Sequence, residues 1–151
     1  MKVFLEYESL DMTGEKSSSK VFAIMEIRDT DYKLVFVEDL SGEGRMTRST
    51  MVLSEDGLRL IRKGELNTDF MFGPALVHNT SYQTPYGAIP VTLVTEDYDF
   101  FVSHPFHKED SPFQEKNVPK DFHLVASAKY ALEIEGQEAL PMSIRINVTK
   151  A

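Results

Sequence analysis

A chain of 151 residues carrying a net charge of −8 is long enough for one well-filled core and short for two domains, so residues 1–151 are read as a single domain. It has no cysteine, which excludes disulfides, thiolate metal sites and cysteine nucleophiles and suits a reducing compartment. The excess of 24 acidic over 16 basic residues disfavours nucleic acid as a partner, and the absence of an apolar run of roughly 18 residues disfavours a membrane helix.

Met1 to Glu8 alternate apolar and polar instead of forming a secretory block, and the expected location is cytoplasmic. Alternation continues through Val21 to Ile27, with a turn at Arg28-Asp29-Thr30-Asp31 and a return over Tyr32 to Val37. Residues 45–53 and 58–63 form a hairpin around Ser54-Glu55-Asp56-Gly57, whose Asp-Gly accepts positive φ. Residues 65–72 and 75–83 flank Gly73-Pro74, and Thr84-Pro85-Tyr86-Gly87 is a turn with proline at its second position. Residues 88–95 and 98–102 read as two further strands. The stretch 103–119 holds three prolines and reads as irregular or helical. The last hairpin is the clearest. Phe122, Leu124, Ala126, Ala128, Tyr130, Leu132 and Ile134 share one face, and Leu140, Met142, Ile144, Ile146 and Val148 share another, joined across Glu135-Gly136-Gln137. Pro90 and Pro141 cannot donate to a ladder and belong at strand starts or bulges.

About ten short strands with turn signals every 8–12 residues define an all-β fold, a sandwich or a barrel. Closure into an antiparallel barrel of about 8–10 strands is the expectation, because it removes exposed edges.

Three pieces of sequence carry a family resemblance: Leu60-Ile61-Arg62-Lys63-Gly64-Glu65-Leu66-Asn67, then Met71-Phe72, then Thr80-Ser81-Tyr82-Gln83-Thr84-Pro85-Tyr86-Gly87. Their spacing resembles the bacterial calycin-like family of unknown function called DUF1934, or YwiB-like. The resemblance implies a lipocalin-like barrel and a small cytosolic bacterial protein with no established activity. It supplies no catalytic residues.

Arginine phase marks a candidate site. Residues 44–63 hold Arg45, Arg48, Arg59, Arg62 and Lys63 against Glu55 and Asp56, while residues 64–95 hold no Lys or Arg. Leu58, Leu60 and Arg62 share one side of their strand, as do Met46, Arg48, Thr50 and Val52. A charge on an apolar face is costly unless paired or wetted. In a hollow barrel such arginines would hold a carboxylate or phosphate while the walls take an apolar body. The structural alternative is that Arg48 and Arg62 reach water at strand ends or pair with a carboxylate such as Glu65. Thr80, Tyr82 and Thr84 share a face, and with Tyr86 they are candidate lining; equally they serve as cross-strand pairs and a turn cap.

Of the four histidines, His104 and His107 beside Glu109 and Asp110 are the metal candidates, yet one loop rarely builds a whole site. No Gly-x-Ser-x-Gly elbow or phosphate loop is present. The basic segment has no aromatic residue for stacking a base. The expectation is a non-enzymatic module for a small amphipathic anion, with no cofactor, no nucleic acid and no membrane partner. The alternatives are a structural barrel with a filled core and, third, a metal-dependent enzyme using the histidine loop.

Overall fold

The computed structural model describes residues 1–10, 15–40, 42–64, 67–105 and 115–151, and the backbone alone of Thr84. Ten strands follow in order: β1 (Lys2–Leu10), β2 (Lys16–Ile27), β3 (Tyr32–Glu38), β4 (Thr47–Ser54), β5 (Gly57–Lys63), β6 (Thr68–Phe72), β7 (Val77–Thr84), β8 (Gly87–Val102), β9 (His123–Ile134) and β10 (Leu140–Lys150). All pairings are antiparallel, and the spatial order is β6-β5-β4-β3-β2-β1-β10-β9-β8-β7. Every strand therefore lies beside its sequence neighbour, except that β1 and β10 pair across the chain ends, from Val3↔Lys150 to Leu10↔Ser143. The result is an up-and-down barrel, nearly closed.

Its seam lies in the middle of the chain, between β6 and β7. Among the described residues a single bridge, Asn67↔Gln83, links these strands, with the Gln83 amide donating to the Asn67 carbonyl at 3.1 Å. Side chains take over where the ladder stops. The Thr80 hydroxyl donates to the Asp69 carbonyl at 3.0 Å, and His78 Nε2 lies 3.1 Å from the same oxygen. A carbonyl only accepts, so this contact needs the His78 proton on Nε2.

Alternation drives closure, since each strand turns its apolar set inward. Val3, Leu5 and Tyr7 of β1, Leu34 and Phe36 of β3, Leu58 and Leu60 of β5 and Leu124, Ala126, Ala128 and Tyr130 of β9 are all buried. Each large side chain so removed from water stabilises by about 1.5–3 kcal/mol. The expected strands 88–95 and 98–102 are one strand in the structure, β8, with a bulge between Thr95 and Asp97. The cause is a change of phase. Val91, Leu93 and Thr95 point inward at odd positions, while Tyr98, Phe100 and Val102 sit on the core at even ones. One extra residue in the ladder reconciles the two sets. Pro90 and Pro141 lie in stretches that have one partner strand, before β9 joins β8 at Val91 and before β1 joins β10 at Ser143.

The two ends of the barrel differ. At one, Tyr32 meets Phe100 and Phe122 with ring centroids 6.1 and 6.3 Å apart. Val118, which follows a short 3-10 turn at Glu115–Asn117, is buried there, and Lys150 Nζ donates to its carbonyl at 3.0 Å. That end is filled. The other end, reached by Ser9, Arg62, Tyr82 and Met142, is hollow.

Candidate functional site

The hollow end holds a cavity of about 440 Å³. β8, β9 and β10 supply one wall, with Val91, Leu93, Leu132, Ile134, Met142 and Ile144; β5 and β6 face it with Leu60, Phe70 and Phe72. Phe72 stacks at a tilt on Tyr130, centroids 4.5 Å apart, and this pair forms part of the inner lining. Tyr82 packs on Phe70 at 6.1 Å, and Ile89, partly exposed, borders the opening. Burial pushes the Tyr130 hydroxyl up to about 12, with nearby Arg62 opposing the shift.

A polar cluster interrupts this apolar wall. Glu38, at the end of β3, keeps the inward phase of Tyr32, Leu34 and Phe36 and is buried. The Tyr7 hydroxyl donates to its Oε1, and the Ser49 hydroxyl donates to Oε2 at 2.8 Å. Arg62, in register with Ser49 on β5, brings Nε to 3.9 Å from Glu38 Oε2. That is ion-pair distance without a hydrogen bond. Arg62 Nε accordingly has no hydrogen-bond partner, and neither do the buried hydroxyls of Thr47 and Thr68. Glu38 is thus held by two hydroxyl donors, while Arg62 is charge-compensated yet keeps its Nε donor uncommitted. A guanidinium in that state, on the rim of an apolar cavity, can receive a ligand oxyanion.

The sequence candidates separate cleanly. Arg62 and Tyr82 line the cavity together. Thr80 is half-buried on the neighbouring seam, bonded to Asp69. The side chain of Thr84 lies outside the described residues. Arg48 corrects the expectation: it is exposed on the outer face, because β4 turns Thr47, Ser49, Met51 and Leu53 inward, the phase that buries Met51 and Leu53 completely. Tyr86 also corrects it, standing fully exposed in the β7–β8 turn and not at the cavity. Glu65, the carboxylate considered for Arg62, lies outside the described residues; Glu38 fills that role. The sequence reading missed Glu38, Tyr7 and Ser49. Glu38 carries the same signal that marked Arg62, a charge in apolar phase.

His107, Glu109 and Asp110 lie outside the described residues. Among the described residues no group of three or more metal-ligating side chains is brought together. Ser103 Oγ lies 2.8 Å from His104 Nδ1, and His104 Nε2 is 3.6 Å from Asp121. The same Ser103 oxygen accepts the His123 amide at 2.9 Å, so it ties β9 to the end of β8.

A family model described as a domain of unknown function, DUF1934, matches residues 5–109. Among solved structures, the ywiB protein from Bacillus subtilis is similar at a TM-score of 0.74 and 11% identity, over 99% of this chain and 92% of that one. At such identity the likeness speaks for the fold alone. No curated protein matches the chain. With more than half of its length matched, the chain belongs to the DUF1934 family.

Proposed function

We propose that the protein is a non-enzymatic bacterial cytosolic binding module that takes a small amphipathic anion, tail inward, in the hollow end of the barrel. The observation that carries this is Arg62, a cation with an unpartnered Nε, on the rim of an apolar cavity of about 440 Å³. Ligand pockets run from about 300 to 1,000 Å³. At ~30 Å³ per water-sized group the space takes roughly 15 non-hydrogen atoms, enough for a medium-length alkyl chain and its headgroup. A filled core, the structural alternative, is favoured by the opposite end of the barrel but not by this one.

The test is a thermal-shift series with octanoate, decanoate, dodecanoate and hexadecanoate. Stabilisation should rise to decanoate or dodecanoate and fall at hexadecanoate, which exceeds the space. At a hundredfold excess over Kd a bound ligand adds about 2.7 kcal/mol to stability. Arg62→Ala should abolish most of the shift. No shift with any of these anions, or an equal one in the variant, would sink the reading.

A further inference from the structure

Arg62 lines a second space besides the cavity. Over the β6/β7 seam runs a groove of about 400 Å³. Its chemistry is the reverse of the cavity's. Lys63, Asn67, Thr68, Ser81 and Gln83 border it, giving a second cation, two hydroxyls and two amides. The acid beside it, Asp69, is engaged: Arg59 donates to both carboxylate oxygens, at 2.9 and 2.7 Å. Two polar atoms at this place are buried without partners, Arg62 Nε and the Thr68 hydroxyl, and Arg62 and Thr68 are in register on β5 and β6. Among the described residues a single backbone bridge joins β6 to β7 here.

We propose that the groove is the headgroup subsite of the ligand whose tail enters the cavity, and that the headgroup is a phosphate monoester. A carboxylate has two oxygens, and one guanidinium satisfies both. The groove instead offers Arg62, Lys63 and the Thr68 hydroxyl at separate positions, which suits a dianion with three terminal acceptor oxygens. The tail occupies the apolar space and the phosphate lies at the seam, with Arg62 between them. The inference rests on the tail site proposed above.

Isothermal titration with decyl phosphate, decanoate and inorganic phosphate at one pH and salt concentration tests it. Decyl phosphate should bind about tenfold tighter than decanoate, the equivalent of one charge-assisted hydrogen bond. Lys63→Ala, an exposed site that leaves the fold intact, and Thr68→Val should each weaken decyl phosphate by about tenfold and decanoate by less than about twofold. Inorganic phosphate should bind at least about a hundredfold weaker than decyl phosphate, having no tail to bury. Decanoate equal to or tighter than decyl phosphate overturns the headgroup assignment and leaves the tail site standing. Equal losses for both amphiphiles in the two variants do the same. Inorganic phosphate as tight as decyl phosphate overturns the link between groove and cavity. Failure of every amphiphile to bind removes the tail site, and this inference with it.

Discussion

Removing the negative charge from Glu38 should destabilise the fold more than removing its positive partner. The Arg62 side chain is 16% exposed and that of Glu38 5%, with 3.9 Å between the charged atoms. At an effective dielectric of about 20 the attraction at that separation is about 4 kcal/mol, set against the desolvation of both groups. Breaking a buried pair from one side costs about 3–5 kcal/mol when the survivor has nothing else to lean on. Glu38→Gln leaves Arg62 in that position, softened by its residual contact with water, and should cost about 2–3 kcal/mol. Arg62→Met leaves Glu38 with the Tyr7 and Ser49 hydroxyls and should cost about 1 kcal/mol. The double variant should cost no more than Arg62→Met alone, giving a coupling of about 2 kcal/mol. Urea unfolding at pH 7 reads all four proteins, and the melting temperature of Glu38→Gln should fall by about 6–10 °C. Additive losses, or a neutral Glu38→Gln, would show that the two side chains do not interact and that Arg62 is already solvated.

Three further outcomes follow from the same structure. The buried Tyr130 hydroxyl, raised from an unfolded value near 10 to about 12, contributes stability that is complete below pH 10 and lost as pH rises through 12. Tyr130 alone should take about 2–3 kcal/mol from the unfolding free energy over that window, and Tyr130→Phe should remove that share of the drop. Gly57 has φ +154°, and an added Cβ would lie 2.4 Å from the Phe72 carbonyl oxygen; Gly57→Ala should cost about 2–4 kcal/mol in the same urea experiment, through the backbone shift it forces. The Arg59–Asp69 pair is bidentate but its side chains are nearly half exposed, so Arg59→Ala should cost under about 1 kcal/mol and less still in high salt.

Period-two alternation was legible because strand and barrel both depend on it: the inward set of β9 and β10, from Phe122 to Val148, is the set that alternation picks out. It misled where two phases compete. In β8 both phases are apolar in turn, and only the bulge at Glu96, a feature of the ladder rather than of composition, joins them into one strand. In β4 both phases are plausible, since Met46, Thr50 and Val52 are as apolar as Thr47, Ser49, Met51 and Leu53. Which side faces inward is decided by register with β3 and β5, where Met51 opposes Leu34 and Leu60. The alternation alone therefore points Arg48 inward and hides Ser49, the hydroxyl that holds Glu38. Arg62 escaped because β5 has one apolar phase only at Leu58 and Leu60.

The placement of that charge follows from the energetics of the cavity. Sealed and empty, a hollow of this size would cost about 10 kcal/mol at ~24 cal/mol per Å³, as much as a domain's whole stability. The barrel avoids this by leaving its end open at Ser9, Tyr82 and Ile89, so that water or a ligand fills the space. An open apolar cup still leaves its walls wet, and the filled end, where Phe122 packs on Tyr32, shows that the same strands support a dry core. Under the proposed function, a hollow on one side only, with Arg62 in its wall and Glu38 paired to that charge, favours an apolar guest with a charged end over water.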